Sequence, residues 1–157
     1  MLLPLFEWCE VSWLGQLVRT SLWLFPVTEA VHLLGLCLMG GALGIVDLRL
    51  FGFGLTGQSI AEIERGARPW FVIGLTTMLA TGLLLFMSEA VKCYHNPSFW
   101  VMINTLPFAL VYTFLVRQRV ASRASFATSW RSRALGAVSL VLWFTVAAAG
   151  RWIGFSS

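Results

Sequence analysis

The sequence predicts an all-α protein, an integral membrane four-helix bundle with a short N-terminal interfacial helix. Three observations carry that class. Hydrophobic residues make up 58% of the 157-residue chain and charged residues only 11%, with a mean hydropathy of +0.80, far from the balance of a soluble domain. The apolar residues gather into four runs, each close to the ~20 residues that cross a hydrocarbon core at ~1.5 Å per residue. The arginines collect between the first and second runs and between the third and fourth, as they do in the short cytoplasmic loops of multi-pass proteins.

The interfacial helix is expected over residues 4–18. Phe6, Cys9, Trp13 and Leu17 recur at helical spacing while Glu7, Glu10 and Gln16 fall on other faces, the pattern of a helix lying in the membrane surface. The start has no basic n-region and carries Glu7 and Glu10, so it is read as a retained segment and not as a cleavable signal. The first span is expected over residues 20–47. Within it Pro26 should bend the helix, and Gly40-x-x-x-Gly44, with Gly35 and Gly41 nearby, is a close-packing pattern suited to a helix of this chain or of a second one. Residues 58–68 can form an amphipathic helix before Pro69, followed by a second span at 69–91 and a third at 98–117, interrupted by Pro107. The basic, Ser-rich connection 117–133 suits anionic headgroups, and the fourth span occupies 132–153. These loops leave little chain for a soluble module, so residues 1–157 read as a single transmembrane domain. Of the eight tryptophans, all but Trp143 fall near predicted interfaces, where indole is favoured.

Orientation follows from the arginines. Arg49, Arg65 and Arg68 lie in the first loop, Arg117, Arg119, Arg123, Arg131 and Arg133 in the third, and only Lys92 in the second. Loops one and three are then cytoplasmic and both termini extracytoplasmic. The same asymmetry accounts for the net charge of +4 without a nucleic-acid partner, since no basic patch with interleaved aromatics stands on a soluble face. In this topology Cys9 and Cys93 share the extracytoplasmic side, which permits a Cys9–Cys93 disulfide; two unrelated small apolar residues are the alternative. A bridge would need α-carbons about 5.5 Å apart.

Two ionisable residues, Glu29 and His32, stand inside the first span, and such residues are functional suspects by default. Their i,i+3 spacing puts them on one helix face. Counted inward from the span ends, Thr81, Met78, Asn104, Thr105, Thr145 and Trp143 lie at similar depths, a potential polar cluster. Nearer the outer surface Glu89 and Arg151 suggest an ion pair between spans two and four. At the other end Asp47 and Arg49 can pair with each other or with Arg68. Three readings of Glu29 and His32 compete. They can hydrogen-bond neighbours and lock packing. His32 can be an axial ligand of a b-type haem, or a ligand of a transition metal such as copper, with Met78 or His95 as partner and Glu29 in support. The pair can also serve a proton or ion relay, although no second carboxylate lies deep in the membrane. His95 falls in the outer loop, a poor depth for pairing with His32. No nucleotide-binding glycine loop, CxxC pair, HExxH motif or nucleophile triad is present.

The segments SLWLFPVTEAVHLLG, DLRLFG, SEAVKCYHNPSFW and AGRWIGF resemble an uncharacterised family of small four-span bacterial membrane proteins. The resemblance covers nearly the whole chain and includes Glu29, His32, Asp47, Arg49, Cys93, Asn96 and Arg151. It implies a four-helix protein of the bacterial inner membrane and no established activity. A looser similarity extends to membrane proteins of the copper-resistance D type, which also bear histidines and end in Gly-Arg-Trp segments; the Met-rich and His-rich loops of copper delivery are missing here. The expected function is a small inner-membrane subunit with a buried Glu/His site, redox or metal associated, better suited to act within a complex than as an enzyme on its own. The alternative is a non-catalytic assembly or anchor subunit. Its partners are the lipid bilayer and other membrane subunits or a second copy of itself.

Overall fold

The computed structural model describes residues 2–55, 57–121 and 129–155. Among the described residues seven helices follow in order: α1 (Leu3–Val11), α2 (Trp13–Thr20), α3 (Leu24–Phe51), α4 (Ile60–Ser88), α5 (Ala90–His95), α6 (Pro97–Ala121) and α7 (Trp130–Phe155). There is no strand among the described residues. Helices α3, α4, α6 and α7 are long and apolar enough to cross a membrane. The four-span bundle is therefore as the hydropathy pattern predicts, with shifted ends. Arg123 of the basic connection lies outside the described residues.

Local chemistry explains the shifts. The N-terminal segment is two helices because Ser12 leaves helical geometry at ψ 152 and its hydroxyl accepts the Gly15 N–H at 3.2 Å, an N-cap. The first span starts at Leu24, which puts Pro26 in the first helical turn. A proline there removes no intrahelical hydrogen bond, so the expected bend has no cause. Residues 58–68 do not form a separate helix. Ser59 and Glu62 make a reciprocal capping box, with Glu62 N–H to Ser59 Oγ at 3.2 Å and Ser59 N–H to Glu62 Oε2 at 2.8 Å, and α4 runs on through Pro69. Asn96 caps α6 by accepting the Ser98 N–H at 2.9 Å, with Pro97 at the favoured first position. Within α6 the turn Tyr112–Arg117 is π-helical.

Helix α3 packs along α4 and also against α7, and α7 packs along α6. Helices α3 and α4 cross closely at Gly35 and Gly74. A β-carbon on Gly74 would stand 2.6 Å from the Met39 backbone nitrogen, so these backbones approach as only glycine allows. The Gly40-x-x-x-Gly44 face is different: β-carbons built on Gly40, Gly41 and Gly44 meet nothing within 4 Å. Among the described residues that pattern makes no close helix contact.

At the end remote from the termini, one buried cluster joins all four spans. Arg117 of α6 donates from Nε to Asp47 Oδ1 of α3 at 2.8 Å, and Ser139 of α7 donates to Asp47 Oδ2 at 2.8 Å. Glu64 of α4 lies 3.9 Å from Arg117 Nη1. Arg117, Asp47 and Glu64 side chains are 2%, 1% and 4% exposed. Asp47 thus pairs with Arg117 and not with Arg49 or Arg68. Arg49 is itself buried, donating to the Gln58 carbonyl from Nε and Nη2 at 3.2 and 3.1 Å. Around and below the cluster the main core gathers Met39, Val46, Leu50, Phe71, Leu75 and Trp143, and Trp143 Nε1 donates to the buried Thr113 Oγ1 at 2.9 Å.

Two stability predictions follow from these contacts. Asp47→Ala leaves the Arg117 guanidinium buried without its partner and should cost about 3–5 kcal/mol, measured by unfolding in detergent. Gly74→Ala should cost about 1–3 kcal/mol through overpacking, whereas Gly44→Ala should leave the transition unmoved; equal effects at both sites would contradict the crossing described here.

Candidate functional site

At the end that carries both termini the spans enclose a cavity of about 690 Å³ with almost wholly apolar walls. Its floor includes Trp143, Leu75 and Met39, and its roof comes from α1 through Leu2, Leu5 and Phe6. An aromatic cluster holds that roof in place. The Phe6 ring lies 5.3 Å from Phe86, 5.2 Å from Tyr94 and 6.0 Å from Phe99, edge to face, a favoured arrangement of aromatic quadrupoles. Glu10 ties the roof to the rest: Oε2 accepts the Val91 N–H at 2.8 Å, and Oε1 pairs with Arg19. Helix α2 then packs against α4 closely enough that a β-carbon on Gly15 would stand 2.5 Å from the Met87 carbonyl oxygen.

His32 and Glu29 both line this cavity, with Met78. His32 lies eight residues into α3 and Thr81 seven residues before the end of α4, so each is about 10–12 Å from its helix end at ~1.5 Å per residue. They meet. His32 Nδ1 is 2.9 Å from Thr81 Oγ1, and Thr81 Oγ1 donates its proton to the Thr77 carbonyl at 2.6 Å. With its hydrogen committed there, the hydroxyl accepts from His32 Nδ1–H. In that tautomer Nε2 is the ring nitrogen that carries the lone pair. Gly82 makes room for the ring, since a β-carbon there would stand 3.2 Å from His32 Cε1.

The rest of the expected polar cluster does not assemble. Asn104 donates to the Trp100 carbonyl at 2.7 Å and Thr145 to the Val141 carbonyl at 2.8 Å, each satisfied by its own helix four residues back. Met78 packs at Gly35, its Cγ 3.2 Å from a β-carbon built there. It therefore lies one turn along the same α3–α4 seam as His32 and not across the cavity from it. His95 is exposed on α5, its ring edge-on to Tyr94 at 5.1 Å; it does not join His32, because α5 sits over the bundle end. Among the described residues, no three His, Cys, Asp or Glu side chains gather in a group able to hold a metal ion.

The outer ion pair also differs from expectation. Arg151 Nη1 lies 3.7 Å from Glu29 Oε1, with side chains 52% and 46% exposed, and the guanidinium sits 4.5 Å over the Phe155 ring. Glu89 instead lies 3.5 Å from Lys92, three residues on. The cause is the helix start. With α3 beginning at Leu24, Glu29 is only five residues inside its end and Arg151 four inside the end of α7, so these two share a depth at the cavity rim. Cys9 and Cys93 are free thiols, so the expected disulfide is not formed in this structure, although α1 packs on α5 and Cys9 lies against the cluster that contains Cys93. Burial pushes the Cys93 thiol up to about 11, with the Glu89 carboxylate adding to the shift.

Fold and site together define a multi-pass helical membrane protein with an apolar cavity at membrane depth and one oriented imidazole on its wall. The chain belongs to the family of unknown function DUF6644, which it matches over residues 5–156. No curated protein and no solved structure matches it.

The thiol environment yields a labelling prediction. In the reduced protein at about pH 8 roughly one Cys93 in a thousand is thiolate, the reactive form, so maleimide should modify Cys9 and leave Cys93 untouched. Cys93 labelling should rise steeply as pH approaches the shifted value, read by mass spectrometry. Equal labelling of both at about pH 8 would contradict the burial.

Proposed function

We propose that this chain is a small inner-membrane subunit that holds a flat, largely apolar redox cofactor in the cavity, a b-type haem in the sharpest form of the reading. The oriented His32 carries it. An imidazole whose Nδ1–H is fixed by a hydrogen bond and whose Nε2 is free is the form that ligates iron, and the fixing bond sets ring orientation and basicity. The cavity volume lies within the ~300–1,000 Å³ of small-molecule and cofactor sites. When bound, the haem would supply one-electron chemistry. His32 would hold the iron, Thr81 would orient His32, and the apolar walls with the α1 roof would exclude water. Arg151, with Glu29 as counter-ion, stands at the rim where carboxylates of a cofactor would find a cation. Met78 lines the same wall as His32, one turn along the α3–α4 seam. A copper ion is the weaker version, since His32 is the one imidazole on this wall and His95 lies elsewhere.

Within this proposal the arginine-rich end is cytoplasmic and both termini are extracytoplasmic, as the charge distribution favours. Cys9 and Cys93 would then lie in an oxidising compartment, where a disulfide between α1 and α5 could form. One observation favours a second reading, that of a non-catalytic assembly or anchor subunit: β-carbons on Gly40, Gly41 and Gly44 would meet none of the described residues, as on a surface awaiting another helix.

The deciding experiment is an ultraviolet-visible spectrum of the detergent-purified protein from haem-supplied cells, oxidised and dithionite-reduced, with elemental analysis of the same sample. The expected result is a Soret band that shifts on reduction and is lost in His32→Ala while the variant still unfolds cooperatively. A colourless, metal-free protein, or a His32→Ala variant that keeps the band, would sink the cofactor reading and leave the assembly role.

A further inference from the structure

We propose that Glu64 is a proton-binding site at the arginine-rich end of the bundle, taking up and releasing a proton on its carboxylate. The proposal is independent of the cofactor cavity. It rests on the geometry of the four-span cluster. Asp47 is fully engaged: Oδ1 accepts from Arg117 Nε and Oδ2 from Ser139, both at 2.8 Å. The remaining reach of Arg117 goes to the Leu43 carbonyl at 3.4 Å. Glu64 is left 3.9 Å from Nη1, too far for a hydrogen bond, and its Oε2 is buried with no hydrogen-bond partner.

The charge count points the same way. Two carboxylates face one guanidinium in a site removed from water, and an uncompensated buried charge is neutralised by a proton more readily than it is tolerated. Asp47, with a donor on each oxygen, has the surroundings of an ionised carboxylate; Glu64 has not. The neighbouring groups do not restore the balance. From α3, Arg49 is directed to the Gln58 carbonyl. From α4, Arg68 is exposed, where its field is screened. From α6, Tyr112 donates to the Leu135 carbonyl at 2.8 Å and Gln118 is neutral; from α7 the contact is Ser139. Glu64 is four residues from the start of α4, about 6 Å along the axis, so the proton exchanges with water at the arginine-rich face. Uptake converts carboxylate to carboxylic acid with a proton from that water, and no electron moves.

Infrared difference spectroscopy of the protein in lipid, neutral against strongly alkaline, tests this directly. A protonated-carboxyl C=O band should be present at neutral pH and lost on alkalinisation. It should shift when the protein is made with ¹³C-carboxyl glutamate, vanish in Glu64→Gln and persist in Glu7→Gln, which alters an exposed carboxylate of α1. Glu64→Gln should melt at or above the wild-type temperature at neutral pH, because it replaces a neutral acid by a neutral amide. The absence of the band, its survival in Glu64→Gln, or its failure to shift with labelled glutamate would each overturn the assignment. So would a Glu64→Gln protein that melts well below wild type, which would mark Glu64 as an ionised partner of Arg117. The isotope experiment needs no variant, so a Glu64→Gln protein that failed to fold would still leave the band present and shifted, or not.

Discussion

Every span of the bundle contributes to one contact, the buried Asp47–Arg117 pair with Ser139 and Glu64 around it. In lipid there is little hydrophobic drive to bring helices together, so packing and polar contacts must do it. A guanidinium at this depth cannot be left alone. It is stable only where α3 presents Asp47 and the Leu43 carbonyl at its level and Ser139 of α7 holds the same carboxylate. The cluster therefore sets the register of four helices at once, and the π-helical turn that ends at Arg117 belongs to that constraint, since such turns re-aim a side chain within an otherwise regular helix.

The opposite end is organised by different forces. There the gap between the spans is kept as a cavity, and its roof is a separate pair of short helices held by aromatic edge-to-face contacts around Phe6 and by Glu10. One end is tight and charged, the other open and apolar. The imidazole on the cavity wall, His32, is positioned by the α3–α4 seam, whose closeness at Gly35 and Gly74 brings Thr81 within hydrogen-bond distance of the ring. The glycine contact and the imidazole tautomer are two consequences of one helix crossing.

Much of this was legible before any coordinates. The four spans and the meeting of His32 with residues at the depth of Thr81 follow from hydropathy and from counting residues along helices, whereas the break at Ser12 that divides the N-terminal segment does not. Depth counting failed where helix ends were misplaced by a few residues. Starting the first span at residue 20 made Glu29 seem deep and sent Arg151 to Glu89, whereas a start at Leu24 brings Glu29 level with Arg151. Arg49 and Arg117 lie at the ends of apolar runs, where hydropathy places loop charges, yet both are buried. A clue was available in Asp47, a carboxylate at the end of a span that requires a cation, but nothing in sequence chooses among Arg49, Arg68 and Arg117.

By itself, then, the sequence determined what is set by composition and by period along one helix: an all-α membrane protein, the number of spans, the faces on which Glu29 and His32 lie. Only the tertiary structure decided which side chains meet across helices: Arg117 with Asp47, Glu29 with Arg151, His32 with Thr81, and the glycines that pack against those left open. The physical reason is that hydropathy is a sum over a segment and survives errors of a few residues. A hydrogen bond at 2.8 Å depends on the rotation and rise of two helices together, where a shift of one residue turns a side chain by about 100° and moves it ~1.5 Å along the axis.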